Sequence, residues 1–412
     1  MSTKIYYIIA IVFMGLTFLI GALVNPTPVA AQTMTPYAPD ACEDGQQESG
    51  AVYRICLPSS WDGKKLAVYA HGYVSPEEPV GIPEDQIKPP GFDQGVDEIL
   101  NFLGYAFAMS SYSVNGLAIN QGVADSLDVI SIFEEKHGTP DEVIIIGVSE
   151  GGLIATLSVE QYPQTYRGGL ALCGPYGDFR GQIDYFGDLR ILFDYFFPAA
   201  MPPTPVAIPQ SLLDTWETSY YTDTVRPLIT DPANAGKVGQ LLATANAPFD
   251  VNDEAASKEQ TIRRLLWYNV YATNDAQAKL GGQPFDNRDR TYSGSDDDAA
   301  LNQGVARFDA DQTVLDAIAT GYETTGLLRS PLVTLHTDGD EVVPYWHAIK
   351  YGEKVATQGS QDLYRHIPVE DTYGHCQFDS LTVLSAFGAL EALIATTPPY
   401  EPPVIYLPIV AR

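Results

Sequence analysis

The stretch that decides the fold is residues 142–152, which read Glu-Val-Ile-Ile-Ile-Gly-Val-Ser-Glu-Gly-Gly. Its apolar half, residues 142–147, predicts a strand buried on both faces, because it lacks the polar alternation of a half-exposed strand. Glycines surround Ser149, and residues 151–162 predict a helix. The segment therefore predicts a sharp strand-to-helix turn with a serine at its tip and the amides of a helix N-terminus behind that serine.

On both sides of this turn, the chain alternates short apolar runs with amphipathic stretches. Strands are predicted at residues 66–70, 105–110, 142–147, 169–173, 331–336 and 363–367. Helices are predicted at residues 94–103, 121–136, 151–162, 345–356 and 378–395. Continuous apolar strands separated by helices indicate a mostly parallel, doubly wound α/β sheet with helices on both faces.

The alternation stops after Asp178 and resumes only at residue 331, in the last fifth of the chain. Helical patterns recur in between at residues 210–220, 258–272 and 313–321. Residues 179–329 therefore predict a helical cap inserted into one α/β domain, whose two parts are residues 32–178 and 330–396. The aromatic stretch 184–197 either lines a binding pocket or packs the cap against the core.

A serine at its ordinary pKa is a weak nucleophile, so Ser149 needs a base and an acid that orients the base. Where a serine stands on such a turn, the acid and then the histidine follow it along the chain. Asp340 opens an Asp-x-x-Val-Pro segment after a predicted strand and is preferred over Asp338 and Glu341. Asp178 is the outside candidate, and capping of the next helix is the structural alternative for Asp340.

The predicted base is His375. It lies beyond the last predicted strand, in a loop where Gly374 allows close approach, and it follows both Ser149 and the predicted acid. His71, His137 and His336 precede the acid, whereas His347 and His366 fall inside a predicted helix and a predicted strand. Chain order and loop position therefore select His375.

Two backbone amides are predicted to bind an oxyanion beside Ser149. One strand ends in Ala70-His71-Gly72-Tyr73, so the Tyr73 amide can point at the oxyanion together with that of Glu150. His71 is interpreted as hydrogen-bonding support for this loop rather than as a proton carrier. The Glu150 side chain either contacts the site or is a solvated carboxylate.

These segments resemble the α/β-hydrolases, in particular secreted bacterial ester or peptide hydrolases with an inserted cap. The resemblance covers most of residues 65–395. It rests on AHGY at 70–73, SSYSVNG at 110–116, GVSEGG at 147–152, CGPYGD at 173–178, TDGDEVVP at 337–344 and GHC at 374–376. It implies an α/β-hydrolase fold and serine chemistry without a cofactor. In tannase and feruloyl esterase-type enzymes, a cysteine directly precedes the serine, whereas Val148 stands there in this chain.

The chain has 4 cysteines, and their spacing predicts two disulfides. Cys42 and Cys56 are close in sequence across a polar stretch, which suggests a local bond and leaves Cys173 to pair with Cys376. The second bond would tie the loop of His375 to the loop after a core strand. No Cys-x-x-Cys or histidine spacing of a zinc site occurs, so no metal site is predicted.

Composition indicates a globular protein, with 45% hydrophobic and 18% charged residues. Lys and Arg number 23 and Asp and Glu number 52, for a formal net charge of −29. This excess of negative charge repels nucleic-acid phosphates and anionic membrane surfaces. A nucleic-acid partner is therefore excluded.

The N-terminus predicts export. An apolar run at residues 5–24 follows Lys4, and small residues lead up to Ala31, as in a secretory signal peptide over residues 1–31. An uncleaved membrane anchor is the rival interpretation, because the run is long enough to span a bilayer. Export predicts a secreted, periplasmic or cell-surface protein and permits disulfides.

The expected activity is hydrolysis of a carboxylic ester, in a small molecule or a polymer, through an acyl-enzyme. A serine peptidase of the prolyl-peptidase or aminopeptidase type is the alternative, because such enzymes share the Gly-x-Ser-x-Gly-Gly segment and a cap. Two weaker hypotheses remain open. One is a non-catalytic binding module, and the other is a polymer depolymerase attached through the proline-rich tail, residues 397–412. The oligomeric state is not predicted.

Overall fold

A computed structural model describes residues 42–88 and 94–402. Within them, eight strands form one sheet. The strands are β1 Cys42–Gln46, β2 Val52–Cys56, β3 Lys65–Ala70, β4 Ala106–Ser110, β5 Glu142–Val148, β6 Gly168–Leu172, β7 Leu332–Gly339 and β8 Tyr364–Tyr373. The predicted signal segment 1–31 and the end of the predicted tail, residues 403–412, lie outside the described residues.

The strand order is β1-β2-β4-β3-β5-β6-β7-β8. All neighbours from β4 to β8 in this order pair in parallel, which confirms the predicted parallel sheet. β1 and β2 add an antiparallel edge that the sequence reasoning missed. The predicted Cys42–Cys56 disulfide is confirmed and joins two directly paired residues of these edge strands.

Helices cover both faces of the sheet. They are α1 Glu84–Ile87, α2 Val96–Phe102, α3 Ile119–His137, α4 Glu150–Gln161, α5 Phe179–Phe196, α6 Gln210–Thr215, α7 Arg226–Thr230, α8 Ala235–Ala245, α9 Glu254–Leu280, α10 Asp298–Gly304, α11 Gln312–Gly321, α12 Trp346–Gln358 and α13 Ser380–Thr396. A π-helical stretch, Trp216–Val225, follows α6. Among the described residues, no helix combines the length and the apolar character needed to cross a membrane.

Side chains of the central strands alternate between two apolar cores, because successive residues of a strand point to opposite faces. In β3, Leu66, Val68 and Ala70 pack in the core beneath α3, α4 and α12. Ala67 and Tyr69 pack in the core beneath α2 and α13. Both faces are thus buried, as the continuous apolar runs predict.

The segment between β6 and β7 is helical and has its own apolar core. It contains the three predicted helices, of which the one at 258–272 is part of the much longer α9. The sequence reasoning missed α5, whose aromatic residues it assigned only to a pocket or to packing. Asp178 caps α5 by accepting a hydrogen bond from the Gly181 amide, and it also pairs with Lys350. Asp178, the outside candidate for the acid, therefore has a structural role in this fold.

Candidate active site

Ser149 stands where β5 turns into α4, as predicted. Its backbone has φ 58° and ψ −122°, a conformation that non-glycine residues rarely adopt and that the surrounding structure must enforce. A side chain on Gly147 would come within 1.9 Å of the Gly151 carbonyl oxygen, and one on Gly151 within 2.0 Å of the Ala70 carbonyl oxygen. Glycine is therefore needed at both positions, because the backbone on either side of Ser149 packs too closely to admit a side chain.

Ser149, His375 and Asp340 form one continuous hydrogen-bonded chain. His375 Nε2 lies 2.8 Å from Ser149 Oγ, and His375 Nδ1 lies 2.8 Å and 3.0 Å from the two carboxylate oxygens of Asp340. Asp340 Oδ1 also accepts hydrogen bonds from the Val342 and Val343 amides. The fold thus brings together the three side chains that the sequence singles out, from β5, the loop after β7 and the loop after β8.

The surroundings of Asp340 keep it ionised although it is completely buried. Burial alone would raise the pKa of Asp340, but the charge of His375 and hydrogen bonds from His336 and His375 hold it well below its usual value. His336 Nε2 lies 3.5 Å from Asp340 Oδ2 and 2.8 Å from the Val343 carbonyl oxygen. The sequence reasoning set His336 aside because of its position before the acid, and no sequence signal marks this contact.

The loop after β3 lies against Ser149. A side chain on Gly72 would come within 3.0 Å of Ser149 Cβ. In the described chain, the amides of Tyr73 and Glu150 donate to no protein acceptor. Gln86 holds the loop, since its Oε1 accepts from the Gly72 amide at 2.7 Å and its Nε2 donates to the Tyr73 carbonyl at 3.3 Å. Gln86 lies in a short helix that the sequence reasoning did not identify.

The side chain of Glu150 is buried rather than solvated. Burial raises the pKa of Glu150 to about 8, and its Oε1 accepts a hydrogen bond from the Ala118 amide at 3.0 Å. Among the charges of α9, Lys279 lowers the pKa of Glu150 and Asp275 raises it. The residue after Ser149 thus carries a buried carboxyl group, and this excludes the solvated alternative that the sequence left open.

The other histidines have structural partners. His71 is buried, stacks on Tyr112 at 3.9 Å between ring centroids and hydrogen-bonds the Gly72 carbonyl, and burial lowers its pKa to about 4. His347 bridges the Gly177 amide and Gln182. These contacts agree with the interpretation of His71 as support for its loop.

The second predicted disulfide, Cys173–Cys376, is confirmed. It joins the residue after β6 to the residue after His375, across a sequence separation of 203. Cys376 Sγ lies 3.3 Å from His375 Nε2, so the bond lies directly against the imidazole. It fastens the histidine loop to the carboxyl end of the sheet.

A small cavity of about 90 Å³ opens beside Ser149, between the sheet and the inserted helices. We call it the active-site cavity. Its walls include Tyr73, Phe179, Ile183, Phe186, Tyr268 and Val343. Of the aromatic stretch 184–197, Phe186 alone lines this cavity. Tyr185 donates a hydrogen bond to the Glu341 carbonyl, and the phenylalanines that follow pack within the cap.

Known sequences and structures are similar to this chain to different extents. The sequence profile of the serine aminopeptidase S33 family matches residues 117–373, more than half of the chain. No curated protein sequence matches. The matched range contains Ser149 and Asp340 and ends two residues before His375.

Several solved structures align with most of this chain at low sequence identity. Two acylaminoacyl peptidase structures, one from Pyrococcus horikoshii, align at TM-score 0.44 and 11% identity over 89% of this chain and 43% and 44% of theirs. An esterase from Pyrococcus furiosus aligns at TM-score 0.43 and 11% identity over 86% of this chain and 91% of the esterase. The chain therefore spans less than half the length of these peptidases.

The family match agrees with the architecture of the sheet. The order of the strands, the turn between β5 and α4 and the helical insertion between β6 and β7 are those expected of an α/β-hydrolase. The chain belongs to the serine aminopeptidase S33 family and has an α/β-hydrolase fold.

Proposed function

We propose that the protein hydrolyses carboxylic esters through an acyl-enzyme at Ser149. Ser149 Oγ attacks the ester carbonyl while His375 Nε2 takes its proton, and the resulting imidazolium protonates the departing alkoxide. Water then attacks the acyl-enzyme with His375 as base, which releases the carboxylic acid and regenerates Ser149. Asp340 orients the imidazole and stabilises its positive charge.

Stabilisation of the negative charge on the attacked oxygen is assigned to the amides of Tyr73 and Glu150. Two features support this assignment. Both amides lack a protein acceptor within the described chain, and the Gly72 loop lies in contact with Ser149. The Glu150 amide also begins α4, where the helix dipole favours negative charge. No step of this scheme requires a cofactor.

The observation that carries the proposal is the hydrogen-bonded chain from Asp340 through His375 to Ser149, open to an apolar cavity. Apolar and aromatic walls suit an alkyl or aryl acyl group, since desolvation of such a group is favourable. The substrate partner is accordingly a small-molecule or polymeric ester. We place the protein outside the cytoplasm, and its two disulfides support this location.

Peptide hydrolysis from a free N-terminus is the second candidate, and the buried side chain of Glu150 favours it. A substrate ammonium group near this carboxyl would lower its raised pKa and form a charge-assisted hydrogen bond. The aminopeptidase description of the family agrees with this candidate.

A substrate panel separates the two candidates. Purified protein would be assayed with p-nitrophenyl esters of increasing acyl length and with aminoacyl p-nitroanilides, with Ser149→Ala as the blank. The proposal predicts turnover of esters and negligible turnover of anilides. Faster hydrolysis of anilides with a free amino group than of their N-acetylated forms would overturn it in favour of the aminopeptidase.

A further inference from the structure

Two cavities lie in the same space between α5 and α9. One is the active-site cavity beside Ser149. The other, which we call the distal cavity, measures about 60 Å³ and is also lined by Pro205, Val206 and Phe285. The two cavities share the wall residues Ile183, Phe186, Tyr268, Ala272 and Ala276. They are therefore neighbours along one inter-helix channel.

A stacked pair of rings lines both cavities. Phe186 of α5 and Tyr268 of α9 stack with centroids 4.7 Å apart and an interplanar angle of 1°. The Tyr268 ring also contacts two further rings, Tyr73 and Trp267, with centroids 5.6 Å and 5.0 Å away. Because Phe186 lines both cavities, we expect the removal of its ring to join the two spaces.

The distal cavity is suited to an apolar group, because its polar side chains already have partners. Asn269 accepts from Arg190 and donates to the Pro205 carbonyl. Thr273 donates to the Asn269 carbonyl, and Gln283 donates to the Phe285 carbonyl. What remains exposed to the cavity is hydrocarbon, so a ligand there gains only from burial of apolar surface.

We propose that Phe186 determines substrate specificity by closing the acyl pocket against the distal cavity, so that the enzyme prefers short acyl groups. The proposal rests on the proposed function, since it concerns the acyl group that becomes bonded to Ser149. Replacement of the ring by a small side chain then gives a linear acyl chain access to the distal cavity. Each further methylene that is buried should raise the acylation rate about fourfold.

The test uses a series of p-nitrophenyl alkylphosphonates of increasing chain length. These reagents phosphonylate a nucleophilic serine: Ser149 Oγ bonds to phosphorus, and the bond from phosphorus to p-nitrophenolate breaks. The rate of p-nitrophenolate release therefore reports the first step alone and needs no deacylation. Wild-type protein should react fastest with short chains, whereas Phe186→Ala should shift the optimum by two or more methylenes (about fifteenfold or more in the long-to-short ratio). The double variant Phe186→Ala/Val206→Phe fills the distal cavity and should reverse the shift.

Tyr195→Ala is the matched control, because Tyr195 lies on the same helix, is partly buried in the cap and lines neither cavity. It should keep the wild-type length profile. Phe186→Leu, which preserves more packing, should give a smaller shift and serves if the alanine variant does not fold. An unchanged length profile in a folded, reactive Phe186 variant would overturn the inference and leave the hydrolase intact. Absence of any reaction at Ser149 in wild-type protein would overturn the proposed function as well.

Discussion

Asp340 accepts hydrogen bonds from an imidazole and from two backbone amides at once, and this fixes the orientation of His375. Its carboxylate receives the imidazole Nδ1 and the amides of Val342 and Val343. Because the amides hold the carboxylate still, the imidazole that it binds presents Nε2 to Ser149. The role of Asp340 is thus positioning and charge stabilisation rather than proton transfer.

Asp340→Asn should therefore lower kcat by about a thousandfold or more, because an amide in this place favours the wrong imidazole tautomer. Ester hydrolysis and the melting temperature would be measured together. Asp178→Asn is the control, since Asp178 only caps α5 and pairs with Lys350, and it should leave kcat near the wild-type value. If only the Asp178 variant lost activity, Asp178 rather than Asp340 would be the acid that orients His375.

Glu150 makes the stability of the fold depend on pH. Its pKa is raised by burial from 4.5 to about 8, so between these values the folded state holds a proton that the unfolded state has lost. The free energy of unfolding contributed by this group therefore falls as pH rises, by about 1.4 kcal/mol per pH unit within that window.

Denaturant unfolding of wild-type protein and Glu150→Gln across pH 5–8 would measure this contribution. Glutamine keeps the side-chain length and cannot ionise. The difference in free energy of unfolding, variant minus wild type, should increase steadily with pH. A difference that stays constant across the window would show that Glu150 is ionised in the folded protein.

Residues with local sequence signals could be predicted, and residues that act across the fold could not. Ser149, Asp340 and His375 each lie in a short segment whose glycines, strand and chain order mark it. Gln86 and His336 carry no such mark. Their contacts to Tyr73 and Asp340 exist only because the sheet brings separate loop ends together.

At the scale of elements, the disulfides should have different effects on stability and activity. The Cys173–Cys376 bond closes a long loop and contacts His375, whereas Cys42–Cys56 joins two adjacent edge strands. By loop-closure entropy, the first bond stabilises by about 5 kcal/mol and the second by about 3 kcal/mol. Only removal of the Cys173–Cys376 bond should lower kcat.

The double variants Cys173→Ala/Cys376→Ala and Cys42→Ala/Cys56→Ala would be compared in kcat and in free energy of unfolding. The first should lose stability and at least about tenfold in kcat, because His375 is less well positioned. The second should lose stability alone. Equal kcat in both variants would mean that the histidine loop needs no covalent tie.

The parallel strands could be predicted from their continuous apolar runs, since both of their faces are buried. The edge strand β1 could not, because Cys42–Gln46 contains no apolar run. Strand β2, Val52–Cys56, was missed because Arg54 interrupts its short apolar run. Helix α5 was missed for the opposite reason. It is buried around much of its circumference, so its aromatic residues show no polar stripe.

At the scale of the whole molecule, α9 connects the inserted helices to the loop of the acid. Arg264 Nη1 lies 2.6 Å from Glu341 Oε1, and Gln260 donates to the same oxygen at 3.0 Å. Glu341 is completely buried next to Asp340, and its other oxygen has no partner in the described chain. The ion pair between Arg264 and Glu341 therefore couples the position of the cap to the position of Asp340.

Arg264→Met should lower the free energy of unfolding by about 2 kcal/mol, because it leaves a buried carboxylate without its cation. The additional change Glu341→Gln should restore most of this loss. Arg263→Met is the matched control. Its salt bridge to Glu217 is half-exposed on both sides, and the change should cost less than about 1 kcal/mol. Urea unfolding of the four proteins would measure these differences, and equal losses in the two single variants would contradict the coupling.

The cap could be located in the sequence but its interior could not be predicted. The break in strand and helix alternation after Asp178 marks where the insertion starts. The stacked pair of Phe186 and Tyr268 depends on the packing of α5 against α9, which are joined by a long stretch of chain. The shape of the pocket, and with it the substrate, is therefore a tertiary property.

The most direct test of the account is covalent capture of its nucleophile. Wild-type protein and Ser149→Ala would be treated with a fluorophosphonate, digested and mapped by mass spectrometry. We expect one adduct, on Ser149, and none in a folded Ser149→Ala variant. A folded wild-type protein that remains unlabelled at Ser149, or that is labelled elsewhere while it turns over ester, would contradict the central claim that Ser149 is the nucleophile.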